Sequence, residues 1–383
     1  VIKHLTLTSY RNHKHARLNT EAQIICFIGP NGSGKTNILE AISYFAPGRG
    51  LRRAAMQEVA TYGSDGAWAV SALLHSEYVD IKLGTGISPQ ALLKENLSRE
   101  VKIDGKKCAK QNSLLEHIRM LWLIPAMDGL FTGPSADRRR FLDRWVTTIE
   151  AGHAYNLSQY EKAMRQRNKA LEIGGRNQTI LDSLEDMMAN HAIAIALARH
   201  NHVQKLSHIM MASQQSDDVM PQSIFPWAKM VLQGTIEADI NEGDTLTALE
   251  DRYRKRLFEE RALDKDIGRT ASGPHRSDFF LWHGPKSTEA RLCSTGEQKA
   301  LLIGLLLAQL ELLENLQTQA SRILLLDEVA AHLDKHRRRA LFERLSQTKL
   351  QVWMTGTDED VFEIAHEDKI FFFLDEMGKI STD

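Results

Sequence analysis

The segment Gly29-Pro30-Asn31-Gly32-Ser33-Gly34-Lys35-Thr36 constrains this chain more than any other. It fits the pattern G-x-x-x-x-G-K-[ST], in which glycines let backbone N–H groups turn inward around a phosphate. Its neighbours fit as well. Ile24-Ile25-Cys26-Phe27-Ile28 before it is an apolar run of buried-strand type, and Ile38, Leu39 and Ile42 after it recur at helical spacing. A strand, a glycine turn and a helix N-terminus together make an anion site, to which the helix dipole adds positive potential. Lys35 is expected to reach the β/γ-phosphates, and the Thr36 hydroxyl to take a place on Mg²⁺. The pattern implies an α/β chain that binds a nucleoside triphosphate through Gly29, Pro30, Asn31, Gly32, Ser33, Gly34, Lys35 and Thr36.

A phosphate loop alone leaves kinases, GTPases, helicases and transport ATPases open, and the other end of the sequence narrows the choice. Ile323-Leu324-Leu325-Leu326-Asp327-Glu328 is an apolar run that ends in two carboxylates. Asp327 suits a Mg²⁺ role, and Glu328 suits a base that polarises the attacking water. Read alone, such a run is common. Upstream, Cys293-Ser294-Thr295-Gly296-Glu297-Gln298 opens a long apolar helix through Leu301, Leu305, Leu306, Leu310 and Leu313. Ser and Gly at a helix start make a further anion site.

Together the three elements resemble the ABC-type ATPases. Ser294-Thr295-Gly296-Glu297-Gln298 looks like the signature motif, and Ala331-His332-Leu333-Asp334 looks like the loop after the second carboxylate motif. The phosphate loop and the signature lie about 260 residues apart. That split is similar to the SMC-like branch, where a helical insertion divides the ATPase head. Within the branch the chain resembles the RecF family of recombinational DNA repair. The resemblance rests on Tyr10-Arg11-Asn12, Arg139-Arg140-Phe141-Leu142-Asp143, Tyr160 with Arg167-Asn168, and Gly273-Pro274-His275-Arg276-Ser277-Asp278.

The resemblance implies an ATPase head with a β-rich lobe and a short inserted helical arm. It implies Arg11 at the ATP, and a homodimer that closes on ATP. Lys35 and Thr36 of one subunit would then face Ser294 and Gly296 of the other. It also implies DNA as partner, at gaps and single-strand/double-strand junctions, with RecR and RecO helping to load recombinase. Hydrolysis is expected to be weak and DNA-stimulated, with Glu328 and Lys35 as the catalytic residues. Two departures stand out. Transporter relatives carry a switch His where Val352-Trp353-Met354-Thr355-Gly356-Thr357 offers Thr355, which suggests slow turnover. Ala126 follows Pro125 where relatives look to carry Gln or Glu, and Asp128 is a candidate substitute.

Net charge is −1, so DNA binding has to come from local clusters of Lys and Arg. Arg49, Arg52 and Arg53, in the Gly-rich loop after the phosphate-loop helix, are the first candidates for DNA. Lys106, Lys107 and Lys110 form a further cluster, as do Arg138–Arg140, Lys162 to Lys169, and Arg337–Arg339. The three cysteines are scattered without metal-ligand spacing and read as buried thiols of a reducing cytoplasm. Val1-Ile2-Lys3-His4-Leu5 reads as a first strand, not a signal peptide, and no apolar stretch approaches a membrane span.

Breakers and periodicity place strands over Ala67–Leu74, Tyr78–Gly84, Arg99–Asp104 and Leu121–Ile124. From Ser135 the pattern is helical, with the stripe Leu181, Leu184, Met188, Ala192 and Ile195, and Gly174 to Asn177 marks a helical hairpin. His191, His200, His202 and His208 read as helix positions rather than metal ligands. Ser213–Pro226 reads as a polar link and Leu246–Leu263 as a helix. The expected division is a head of residues 1–134 and 268–383 around an arm of 135–267. The competing class is a non-DNA ABC-type subunit that drives a protein partner, a reading the near-neutral charge favours.

Overall fold

The computed structural model describes residues 1–75, 79–93, 97–174, 177–212, 224–240, 243–362 and 367–382. The chain begins with strands β1 (Ile2–Tyr10), β2 (His13–Asn19) and β3 (Ile24–Ile28), then helix α1 (Lys35–Ser43). Next come β4 (Trp68–His75), β5 (Asp80–Ile87), α2 (Pro89–Leu92), β6 (Glu100–Ile103), β7 (Lys106–Lys107) and β8 (Ile118–Leu123). The helices α3 (Ser135–Ile149), α4 (Ala151–Glu172) and α5 (Gln178–Ala212) follow. After them lie β9 (Ala228–Gln233), α6 (Leu246–Glu259), α7 (Arg261–Ile267), β10 (Asp278–His283), β11 (Thr288–Glu289) and α8 (Thr295–Glu314). The chain closes with β12 (Ser321–Leu326), α9 (Lys335–Ser346), β13 (Gln351–Gly356), β14 (Lys369–Leu374) and β15 (Ile380–Thr382).

These elements form two compact units, residues 1–127 with 313–383, and residues 128–312. In the first unit, β14, β3, β13, β12 and β8 run parallel, and β15 adds an antiparallel edge. All five residues of β3 are buried, as a strand covered on both faces requires. A second sheet, in the order β2-β1-β4-β5-β6-β7, is antiparallel throughout. In β1, Leu5, Leu7 and Tyr10 reach the core while Thr6 and Thr8 do not, the alternation expected of a sheet with one open face.

Both sheets of this unit share one core with α1. Ile25 and Phe27 of β3 meet Ile38, Leu39 and Ile42 of α1 and Leu5, Leu7 and Val70 of the antiparallel sheet. Phe27 stacks on Trp353 at 5.9 Å and on Phe372 at 5.5 Å between ring centroids. Full burial of side chains this size contributes about 1.5–3 kcal/mol each. The loop between β3 and α1 is thereby held at both ends by core residues.

In the second unit α4 and α5 pack as the expected helical hairpin, and Leu181, Leu184, Met188, Ala192 and Ile195 are all buried. The expected break at Gly175 and Arg176 and most of the link, 213–223, lie outside the described residues, as does Tyr78 at the start of its expected strand. The small antiparallel sheet β11-β10-β9 has no counterpart among the strands expected from sequence. Its strand β9 pairs along its whole length with β10, from Asp278 with Gln233 to His283 with Ala228. Residues 278–312 are therefore compact with the helices rather than with the first unit.

Candidate nucleotide site

The phosphate loop follows β3 as expected. Gly32 has φ +86° and Gly34 +101°, conformations that only glycine adopts without strain. Gly34 is the residue from which α1 starts. Its neighbour is specific: a Cβ on Gly34 would come within 2.5 Å of the Asn12 amide. Asn12 donates to the Ser33 carbonyl at 3.2 Å and accepts from Asn37 at 2.8 Å, so the turn between β1 and β2 braces the loop. Lys35 is buried and folds back, its Nζ donating to the carbonyls of Gly29 at 2.7 Å and Pro30 at 2.9 Å. Burial lowers its pKa, while the charges of Glu328 and Asp327 oppose that.

At the end of β12, Asp327 Oδ1 accepts from the Thr36 hydroxyl at 2.8 Å and from the Thr355 hydroxyl at 2.8 Å. Thr355 Oγ1 in turn accepts from the Glu328 backbone N–H at 2.9 Å. Strands β3, β12 and β13 are parallel neighbours, so their C-terminal ends deliver the phosphate loop, the carboxylates and Thr355 to one edge. Burial raises the Asp327 pKa above the usual carboxylate value, against the hydrogen bonds from the two hydroxyls. Glu328 sits at φ +50°, a left-handed conformation that is costly for a non-glycine residue.

Arg11, expected at the nucleotide, is bonded through three nitrogens. It grips Glu40 of α1 at 2.8 and 2.7 Å and donates to the Glu58 carbonyl at 2.8 Å. Arg49, Arg52 and Arg53 are exposed on the loop after α1. Arg52 donates to Asn37 Oδ1 at 2.8 Å, and its charge reaches Asp327. Arg99, which the sequence did not single out, anchors that loop. Its buried guanidinium donates to the carbonyls of Tyr44 and Ala46, both at 2.6 Å, and to Gly48 at 3.3 Å. Burial pulls its pKa down to about 10. A lone Arg just before a short strand carries no sequence signal for this work.

In the second unit, Ser294 caps α8. Its hydroxyl accepts from the Glu297 N–H at 3.4 Å, and Glu297 Oε2 accepts from the Ser294 N–H at 3.0 Å, a reciprocal capping box. Lys286 bonds to Glu297 and, with the Ser294 donors, holds its carboxyl at about 2. Ser294, Thr295 and Gly296 are exposed. Ala126 is exposed, and Asp128, the candidate substitute for its missing polar group, lies 3.4 Å from Lys299.

Most other basic clusters are committed internally. Arg138 binds Asp278, Arg140 binds Asp137, Arg167 is wholly buried against Glu185 and Asp264, and Arg337 and Arg339 pair with Asp334 and Glu343. Among the histidines, His191 bonds Asn156 at 3.0 Å and His200 bonds Gln204 at 2.8 Å. Of the loop Ala331-His332-Leu333-Asp334, Asp334 caps α9 by accepting from the Arg337 N–H at 2.9 Å.

A glycine loop, paired carboxylates at the end of β12 in the same parallel sheet and a capped signature helix after a helical insertion define an ABC-type ATPase head of the SMC-like kind. Comparison with known proteins agrees. The family model described as RecF/RecN/SMC N terminal domain matches residues 1–380. A DNA replication and repair protein RecF from Allorhizobium ampelinum is 44% identical over 361 residues, covering 94% of this chain and 93% of the relative. One from Brucella suis is 43% identical over 372 residues, 97% and 94% of the two chains. A solved structure described as the recombination mediator protein RecF-ATP in the RecFOR pathway superposes with a TM-score of 0.83 at 24% identity, over 100% of this chain and 99% of that one. An SMC head bound to part of ScpA gives 0.52 at 14% identity, over 100% and 98%. The chain belongs to the RecF family.

Proposed function

We propose that this chain binds ATP between the phosphate loop and the Asp327–Glu328 edge, hydrolyses it slowly, and uses it to dimerise on DNA during replication and recombinational repair. The observation that carries the reading is the chain of contacts from Thr36 to Asp327 to Thr355 to the Glu328 backbone. It joins four expected or candidate residues at one sheet edge.

The residues present fit Mg²⁺. A hydroxyl and a carboxylate meet at 2.8 Å, both hard oxygen donors, beside a loop whose positive-φ glycines turn N–H groups toward a phosphate. Thr36 and Asp327 would hold the ion, which supplies positive charge to the phosphates. Lys35 exchanges the carbonyls of Gly29 and Pro30 for phosphate oxygens. Glu328 orients and deprotonates water, and Thr355 fixes the backbone that carries it. Arg11 flanks the pocket through Glu40. Ser294 and Gly296 of a second subunit close the site by presenting a hydroxyl and a helix N-terminus to the γ-phosphate. Arg49, Arg52 and Arg53 contact DNA phosphates beside the nucleotide, which couples the two ligands.

The names of the relatives support DNA rather than a purely protein-driving role, and RecO and RecR are the proposed partners at gapped duplex, in the cytoplasm. Lys35→Ala tests the core of this reading. It removes the cation aimed at the phosphates, so affinity for a fluorescent ATP analogue should fall at least about tenfold. Binding equal to the parent's would refute the phosphate-loop assignment.

A further inference from the structure

The segment Gly273-Pro274-His275-Arg276-Ser277-Asp278 has no part in the nucleotide site described above, yet its backbone is braced on several sides. Gly273 has φ +135°, and a Cβ there would come within 2.3 Å of both the Tyr160 and Tyr253 hydroxyls. Arg199 donates to the Pro274 carbonyl at 2.7 Å. His275 Nε2 donates to the Thr270 carbonyl at 3.1 Å, so Nδ1 accepts from the Tyr160 hydroxyl at 2.8 Å. Arg139 donates to the Ser277 carbonyl at 2.7 Å, and Arg138 grips both Asp278 oxygens at 2.8 Å. The Arg276 N–H closes the turn onto Gly273 O at 2.9 Å.

Against this frame the Arg276 side chain is the exception. It is exposed, and among the described residues its guanidinium has no hydrogen-bond or ion-pair partner. Burial and the charge of Arg199 lower the Arg139 pKa, and the charge of Arg276 adds to them, so Arg276 lies within electrostatic reach of Arg139. The carboxylates that act on Arg139, Asp278 and Asp143, are already gripped by Arg138 and Arg199. Arg276 is thus an unpaired guanidinium on a rigid base within reach of a second cation, and among the described residues neither Arg276 nor Arg139 forms an ion pair.

We propose that Arg276, supported by Arg139, is a phosphate-contacting position of this protein. A fixed backbone removes much of the ordering cost of binding, and a guanidinium fork matches phosphate oxygens with two parallel hydrogen bonds. An incoming phosphate also relieves the repulsion between the two cations. The inference rests on the reading of the chain as a handler of nucleotide and nucleic acid. The phosphate belongs to one of those two.

Arg276→Ala and Arg276→Lys in the full chain test it in two arms, affinity for a non-hydrolysable ATP analogue without DNA, and affinity for gapped duplex at two salt concentrations with the analogue saturating. Arg276→Ala should lose about tenfold or more in one arm, and Arg276→Lys should recover part of it. A nucleic-acid phosphate shows as loss in the DNA arm with a salt slope smaller by about 1. A nucleotide phosphate shows as loss in the first arm. The exposed side chain should leave the thermal midpoint unchanged. If Arg276→Ala shifts it, Arg276→Gln is read in the same arms. Parent-like behaviour in both arms overturns the proposal. Lys35→Ala run alongside separates the two readings, because its failure to weaken nucleotide binding refutes the phosphate loop without touching the DNA arm.

Discussion

Asp327 Oδ1 receives two hydroxyls, from Thr36 on α1 and Thr355 on β13. Its charged form is what those donors favour, while burial favours the neutral one. A divalent cation at the same oxygen would settle that conflict on the side of the carboxylate. Glu328, next in sequence, has its backbone N–H tied to Thr355 and its φ forced to +50°. Strain of this kind costs of order 1–3 kcal/mol and persists where the surroundings fix it. In this account it aims Glu328 at water. Glu328→Gln keeps the shape and loses the base, so ATP should still bind while steady-state hydrolysis falls ~10²–10⁴-fold. A phosphate-release assay beside an equilibrium binding assay checks both halves, and unchanged turnover would move the base elsewhere.

At the scale of elements, what could be read from sequence was what is local. The run from Ile24 to Ile42 announced strand, loop and helix because periodicity, glycines and the lysine sit within nineteen consecutive residues. The hairpin stripe from Leu181 to Ile195 was visible for the same reason. Strand β9 was not, because Ala228–Gln233 is short and is specified by its pairing with β10, about fifty residues on. Asn12 and Arg99 were missed as bracing groups because their partners, Ser33 and the carbonyls of Tyr44 to Gly48, are distant in sequence. The resemblance flagged Asp143, Tyr160 and Arg167, but only the fold shows that they lock α3, α4 and α5 to segment 264–275. That unit also holds two histidines in neutral form, His202 buried and His275 partly buried. Burial takes His202 and His275 down to about 4 from 6.5. Since the folded values lie below the unfolded one, their stabilising effect is complete above pH 6.5 and is lost as pH falls toward 4. The loss reaches about 3 kcal/mol for each. Urea unfolding at pH 7.5 and pH 5 should show a lower midpoint at pH 5, and His202→Gln should reduce the difference. An undiminished pH effect in that variant would assign the titration to other groups.

At the scale of the molecule, the phosphate loop and carboxylates belong to one compact unit, and the signature helix starts in the other. If Ser294 and Gly296 complete the site, the second half of each nucleotide site comes from a second subunit. Ser294, Thr295 and Gly296 are exposed at the start of a capped helix, which suits them to that task and equally to being a plain helix start. Sedimentation velocity with and without ATP distinguishes the two for the parent, Ser294→Ala and Ser294→Arg. Both variants lose the cap, worth about 1 kcal/mol, but only arginine places bulk where the partner's γ-phosphate must fit. The parent should dimerise on ATP, Ser294→Ala should follow it, and Ser294→Arg should stay monomeric while binding ATP with parent-like affinity. If Ser294→Arg dimerises on ATP as the parent does, the signature is only a helix cap and the two-subunit site is contradicted.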